Sequence, residues 1–342
     1  MALNWFTSYL SDRSFSVRIG SSSSKSAPIK CGIPRGSILG PLLFSLYMLP
    51  LGSIFEKYGI QYHCYADDTQ FYIPIKSDDA SSMTKVLDCL NDIQCWMSRN
   101  FLQLNENKTE VILFGPPNQV SDLKKMLGPL SPNYHSIIKN LSVYFDTALN
   151  FNKQISNVVK SSFYQLRTIA KIKSFFTLKD LQTLIHAFIT SRLDYCNSMY
   201  TGLTQSNLGR LQLVQNAAAR LLTGTKKRQH ITPVLVKLHW LPIKFRIDFK
   251  LLLFVFKVLN GLASQYVKDL ITPYSALPML RSSSQNLLTI PFSHKKSSGD
   301  RAFSVAGPRL WNDLPQYGKG TTNISSFKLN LKAYLLFFGL QL

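Results

Sequence analysis

Two adjacent carboxylates, Asp67 and Asp68, stand in the stretch Tyr65-Ala66-Asp67-Asp68. Paired carboxylate oxygens are hard ligands, and they suit Mg²⁺ or Mn²⁺. An acidic pair in a turn is more often a solvated hairpin tip, because Asp favours turns. The flanks bear on the choice. Ile60-Gln61-Tyr62-His63-Cys64-Tyr65 precedes the pair and Thr69-Gln70-Phe71-Tyr72-Ile73-Pro74-Ile75 follows it. Both runs are rich in aromatic and β-branched residues and read as strands, which puts the acids at the tip of a β-hairpin. Side chains alternate along a strand, so Asp67 and Asp68 should point in different directions. That favours unequal roles, one residue a firm metal ligand and the other auxiliary.

Three other features would stand near such a site. Cys31-Gly32-Ile33-Pro34-Arg35-Gly36-Ser37-Ile38-Leu39-Gly40-Pro41 is a glycine and proline loop feeding an apolar helix. Its glycines permit close backbone approach to a flat or charged group, and the N–H groups of the helix start would favour a phosphate. Ser37 or Gly40 is the expected cap, with Pro41 in the first turn, and the helix should run to Lys57 and end at Gly59. Farther on, Lys108 opens an expected strand, Lys108 to Gly115. A lysine there is usually solvated, but beside a metal site it could meet a triphosphate.

The elements around these residues follow from periodicity. Phe15 to Ile19 alternates like a strand, and Ser21 to Ser26 reads as a flexible loop. Met83, Val86, Leu87, Leu90, Ile93 and Met97 recur at helical spacing, so a helix should follow Ser77 to Ala80 and run to about Arg99, with Asp78 and Asp79 as its N-terminal charges. The second half reads as largely helical over 155–173, 178–192, 206–223 and 245–259, with a short amphipathic helix over 327–338. Between these, 281–320 is rich in Ser, Gly and Pro and reads as a poorly ordered linker, in which Trp311 to Pro315 looks like a small docking turn. His186, His230 and His239 lack ligand partners at metal spacing and read as packing or surface residues.

Charge separates the halves. Residues 1–150 hold 13 Lys and Arg against 12 Asp and Glu, whereas residues 151–342 hold 26 against 6. The whole chain of 342 residues carries a net +21. A near-neutral half joined to a basic half suits a polyanion, most simply nucleic acid. Lys160, Arg167, Lys171 and Lys173 lie along the first helix of that half and Lys226, Lys227 and Arg228 follow the third. Lysines on a helix are often only a solvated face, but in this company they favour contact with backbone phosphates.

Bulk properties set outer bounds. At 45% hydrophobic residues and a mean hydropathy of +0.01, the composition is that of a folded protein with two or three domains. Cys31, Cys64, Cys89, Cys95 and Cys196 show neither Cys-x-x-Cys spacing nor a disulfide frame, which suits a reduced intracellular setting, cytoplasm or nucleus. The N-terminal residues lack a signal-peptide layout, and the longest apolar stretch, Ile38 to Leu51, is too short to span a bilayer.

Pro34 through Phe44, then Tyr65-Ala66-Asp67-Asp68, then Asn105 through Lys108-Thr109-Glu110 resemble, in order and spacing, the palm of a reverse transcriptase of the LINE-type (non-LTR) retrotransposons. Asn140 to Asp146 is similar to that family's following hairpin, and Ser191 to Asn197, Leu238 to Pro242 and Gly299 to Phe303 are similar to its C-terminal stretches. The resemblance implies an α+β fold, a partial polymerase palm over 1–150 followed by a mainly helical thumb-like region over 151–275 and a C-terminal segment over 276–342. It implies RNA-directed DNA synthesis by two-metal nucleotidyl transfer, with Asp67 and Asp68 as catalytic and metal-binding acids and Mg²⁺ or Mn²⁺ as cofactor. It also implies Pro34, Arg35, Gly36 and Lys108 at the nucleotide and template, and RNA template, DNA primer and deoxynucleoside triphosphates as partners, with no membrane.

The departures shape the expected outcome. The family has a further acidic motif upstream that supplies another catalytic Asp, and Asp12, which reads as a turn residue, does not replace it. Arg35 stands where the family usually has Gln, and Ser142 where it usually has Gly. The expectation is a truncated polymerase, inactive or nearly so alone. The alternatives are a non-catalytic nucleic-acid-binding remnant and a poorly folded translation product.

Overall fold

The computed structural model describes residues 2–30, 32–33, 36–75, 80–274, 286–293, 295 and 298–339. The chain forms two compact units, Met1–Thr109 with Ser121–Asn133, and Glu110–Val120 with Tyr134–Leu342. It is mixed helix and sheet, and among the described residues every sheet has two antiparallel strands.

The first unit begins with α1 (Ala2–Leu10). A bent hairpin follows, made of β1 (Ser14–Phe15), β2 (Arg18–Ile19), β3 (Ser22–Ser23) and β4 (Ala27–Pro28). In it β1 pairs with β4 and β2 with β3, so part of the expected serine loop is strand. The single helix expected up to Lys57 is two, α2 (Gly40–Met48) and α3 (Leu51–Lys57). Pro50 separates them, because it has no N–H to continue the ladder of α2. Leu39, not Ser37 or Gly40, occupies the cap position of α2, and no side chain caps it; Pro41 is in the first turn as expected.

Helix α3 ends where Gly59 reverses the chain at φ +63°. Gly59 N–H donates to the Glu56 carbonyl and Ile60 N–H to the Phe55 carbonyl, both at 3.0 Å. This is the paired closure that satisfies the last carbonyls of a helix. It aims the chain into the hairpin of β5 (Gln61–Tyr65) and β6 (Asp68–Tyr72). Helix α4 (Ala80–Arg99) is the helix expected up to about Arg99. Met48, Leu51, Phe55, Ile60, Cys89 and Ile93 form the core of this unit. At its edge Asp92 on α4 accepts from Lys57 at 2.7 Å and from the Tyr58 hydroxyl at 2.8 Å, and these donors hold its carboxyl below the ordinary range.

The strand expected from Lys108 does not form. Glu106–Lys108 is one tight helical turn, and Val111 makes only an isolated parallel bridge to Tyr134. Helix α5 (Pro117–Met126) follows, its residues divided between the two units.

The second unit opens with the hairpin β7 (Ile137–Asn140) and β8 (Val143–Asp146). The Asp146 carboxylate accepts from the N–H groups of Ala148, Asn150 and Phe151, at 3.2, 2.9 and 2.6 Å. These bonds set the entry of α6 (Asn152–Ile172). Then come α7 (Leu178–Ile185), a wider turn over His186–Thr190, α8 (Ser191–Asp194), α9 (Gln205–Thr223), α10 (Thr232–Lys237) and α11 (Ile243–Leu259). Buried residues of α6, α7, α9 and α11, such as Ile155, Ile185, Leu211 and Ile247, make one core.

Helices α12 (Gln265–Lys268), α13 (Phe303–Asp313), α14 (Gln316–Lys319) and α15 (Ile324–Gly339) complete the unit. Here the linker expectation over 281–320 is corrected for the described residues. Trp311 lies inside α13, 2% exposed, and donates its Nε1–H to the Asn286 carbonyl at 2.9 Å. It is a core residue, not a docking turn, and stands with Phe256, Phe327 and Leu331 in a second core.

Candidate functional site

The register of the β5–β6 hairpin fixes where the acids stand. Tyr65 pairs with Asp68, so Ala66 and Asp67 are the two turn residues. Ala66 takes a left-handed conformation, φ +55°. Tyr62 pairs with Phe71 and Cys64 with Thr69, and by alternation these share one face. Tyr62 stacks on Phe55 of α3 with centroids 4.6 Å apart, and Phe71 packs on the same ring at 5.5 Å. Tyr62 and Phe71 are therefore committed to the core, while Cys64, nearer the tip, is exposed.

Asp68 belongs to the other face, with His63, Tyr65, Gln70 and Tyr72. His63 and Tyr72 lie in stacked rings 5.7 Å apart, with a 3.4 Å contact between Nε2 and the hydroxyl. Asp67 and Asp68 are both exposed. Asp67 is a turn residue and Asp68 a strand residue. The aromatic company of Asp68 was not singled out in the sequence, although the period-2 parity of His63, Tyr65 and Tyr72 with Asp68 carried the signal.

The other candidate residues of this unit fare unequally. Gly36 is exposed with φ +81°, and a Cβ there would meet nothing within 4 Å, so backbone conformation rather than space asks for glycine. Pro34 and Arg35 lie outside the described residues, as do Asp78 and Asp79. Lys108 is exposed on its tight turn and forms no ion pair with Asp67 or Asp68. Among the described residues no three His, Cys, Asp or Glu side chains gather closely enough to hold a metal ion. Two exposed carboxylates fit a hydrated Mg²⁺ or Mn²⁺ that keeps most of its water, which is how Mg²⁺ is commonly held.

On the helical unit, α6 buries Ile155, Val158, Leu166 and Ile169. Lys160, Arg167 and Lys171 fall seven and four residues apart on the opposite, exposed face. Tyr164 completes that stripe, 62% exposed, and Phe175 stands beyond it, 83% exposed and near Lys173 in sequence. Exposed aromatics between cations form the surface on which bases stack and phosphates pair. Tyr164 was missed because a single tyrosine in a helix reads as packing. Lys226, Lys227 and Arg228 are exposed on the turn after α9, where Gly224 at φ +69° ends the helix and Gln229 ties the turn by accepting from Lys226 N–H at 3.0 Å.

Residues 1–145 match the family described as reverse transcriptase (RNA-dependent DNA polymerase). The chain is 26% identical over 234 residues to a Drosophila melanogaster protein named as a probable RNA-directed DNA polymerase from transposon BS, a match covering 63% of this chain and 25% of that protein. It is 23% identical over 226 residues to the RNA-directed DNA polymerase from the mobile element jockey of the same organism, covering 64% of this chain and 24% of the relative. A third relative there, a probable polymerase from transposon X-element, is 25% identical over 232 residues, again 64% of this chain and 24% of the relative. The chain thus spans about a quarter of the length of the curated relatives it matches. No solved structure matches it.

Proposed function

We propose, from the kinship of residues 1–145 with reverse transcriptases and of the chain with the RNA-directed DNA polymerases of non-LTR retrotransposons, that this chain serves RNA-templated DNA synthesis. One observation carries the reading: Asp67 and Asp68 stand exposed at the tip of a hairpin whose other face is pinned to α3 by the Phe55–Tyr62 stack. A hairpin held from behind offers its acids to a ligand in front.

In this reading Asp67 is the firmer ligand of Mg²⁺ or Mn²⁺ and Asp68 its auxiliary. The bound cation supplies charge neutralisation and activation of an attacking hydroxyl. Tyr65, paired with Asp68, borders the acids on the side of the primer end. Pro34, Arg35 and Gly36 meet the template and the incoming nucleotide, and Lys108 steadies the outgoing phosphates. The stripe of Lys160, Tyr164, Arg167 and Lys171, with Lys173 and the turn at 226–228, grips the primer–template by its backbone. Residues 1–150 then act as a partial palm, 151–275 as a thumb-like clamp and 276–342 as a C-terminal support.

Two-metal chemistry in the parent family draws on three aspartates, and the described residues gather no third acid beside Asp67 and Asp68. We therefore infer that the chain alone binds primer–template without extending it. The test is primer extension on a homopolymer RNA template with Mg²⁺ or Mn²⁺, run beside salt-dependent binding, for the chain and its Asp67→Ala variant. Salt-steep binding in both proteins and extension in neither is the expected result. Extension that vanishes in the variant overturns the inactivity and keeps the polymerase. Absence of binding overturns the reading itself.

A further inference from the structure

The helical unit contains a cavity of about 390 Å³ lined by none of the residues given a role above. One wall is the turn between α7 and α8. Ser191 N–H donates to the His186 carbonyl five residues back, so His186–Thr190 form a π-helical turn. Such insertions widen a helix and recur at functional sites. The facing wall is α11. Arg246, its side chain 15% exposed, donates to Asp194 Oδ2 at 2.7 Å and to the Leu241 carbonyl at 3.0 Å.

The charges of the wall do not cancel. Asp194 is the one acid in the lining, and Arg246 already answers it. Lys250 and Lys332 line the same cavity and form no ion pair among the described residues. His186 is held below its ordinary pKa by burial and then by the positive charge of Arg246 and Lys332, against the opposing pull of Asp194. Two cations are left without an anion.

A second observation is independent of charge. Asn197 lines the cavity at 3% exposure, and its Oδ1 is buried without a hydrogen-bond partner. Its amide nitrogen makes one long contact, 3.5 Å to Asp194 Oδ1, which fixes the amide with the oxygen as the orphan. A buried acceptor of this kind calls for a donor.

We propose that this cavity binds a phosphate monoester of nucleotide size. Its dianionic phosphate pairs with Lys250 and Lys332 beside Arg246, and a turn of the Asn197 amide brings its buried Oδ1 to a hydroxyl of the ligand. A monoester carries close to two negative charges at neutral pH, which matches the two unanswered cations better than a carboxylate or a phosphodiester with one. The volume lies in the range of small-ligand sites and leaves room for a sugar beside the phosphate. The ligand is either a free mononucleotide or the phosphorylated end of a strand. The site is independent of Asp67 and Asp68.

The experiment is calorimetric titration of the full chain with adenosine monophosphate, adenosine and inorganic phosphate, then with one oligonucleotide carrying either a 5′-phosphate or a 5′-hydroxyl. Lys250→Met/Lys332→Met is titrated in parallel, and Lys332→Met alone stands in should the double variant melt earlier. The expected result is binding of the monophosphate, none of adenosine, and at least tenfold weakening in the variant. A matching gain for the 5′-phosphorylated strand identifies a strand end; binding of the mononucleotide without that gain identifies a free nucleotide. The proposal is overturned by no binding of the monophosphate, by adenosine binding as tightly, or by equal affinity in a folded variant.

Discussion

Tyr62 lies flat on Phe55, ring planes 16° apart and centroids 4.6 Å apart, and the side chain of Phe55 is fully buried. The contact settles which face of the β5–β6 hairpin turns to the core, and by alternation it leaves Asp68 on the other. Space for it comes from Gly52, where an added Cβ would run into the Tyr62 hydroxyl.

A first prediction follows from that fit. Gly52→Ala should destabilise the first unit by about 1–3 kcal/mol, the usual cost of overpacking. Helix propensity would argue the opposite sign, since alanine favours a helix by about 1 kcal/mol over glycine. Adding Tyr62→Phe removes the blocking oxygen and should restore most of the loss. Urea melts of the single and double variants measure this, and additive effects would show that the hydroxyl is not the obstacle.

The turn of the β7–β8 hairpin gives a second. Leu141 and Ser142 take φ +43° and +69°, so both central residues sit in the left-handed region. A two-residue turn of this type prefers Asn-Gly, and a side chain there costs about 1 kcal/mol. Ser142→Gly should raise the stability of the second unit by a few tenths to about 1 kcal/mol, the relief being offset in part by the greater freedom of glycine when unfolded. Thermal melting reads the difference, and a lower melting temperature would refute it.

These positions also show what the sequence disclosed. The period-3.6 apolar set from Met83 to Met97 made α4 legible, because one buried stripe suffices to define a helix. The β5–β6 hairpin was legible from the aromatic and β-branched runs on either side of the acids. The strand at Lys108 was not, since an extended run becomes a strand only with a partner, and Val111 finds just Tyr134. Helix α13 was hidden by Gly307 and Pro308, which read as loop, yet Gly307 packs so closely on Val255 and Phe303 that a Cβ would crowd them. The metal chemistry proposed for Asp67 and Asp68 was legible only as residue type, because ligands are completed in space.

The basic stripe supports a third prediction. If Lys160, Arg167 and Lys171 each neutralise one phosphate, their joint replacement by Gln should lower the slope of log K against log salt by about 3 on duplex. Tyr164→Ala should instead cost about 1–3 kcal/mol on single strands with the slope unchanged, since stacking releases no counterion. Filter binding across a salt series separates the two, and an unaltered slope in the triple variant would remove the stripe from the interface.

The two units should answer acid in opposite ways. In the first, Asp92 has its folded pKa depressed by hydrogen bonds from Lys57 and Tyr58. Its contribution is present above the ordinary carboxylate pKa and is lost as pH falls through the lower folded value, so this unit weakens only below about pH 4. In the second, burial on α11 raises the Asp248 carboxyl to about 6, with Lys244 pulling the other way. The folded state then holds a proton that the unfolded state has released, and stability rises as pH falls from above 6 toward 4. A shift of that size corresponds to about 3 kcal/mol at most, reduced by what solvent reaches the half-buried group. His186 acts against it, because its folded pKa is depressed and charging it below pH 6.5 costs stability. Comparing the chain with Asp248→Asn at each pH cancels the histidine. The variant should be the more stable of the two at pH 7.5, and the gap should close by pH 4.5. A gap that is constant with pH would mean that the Asp248 carboxyl has the same pKa folded and unfolded and that burial does not govern it.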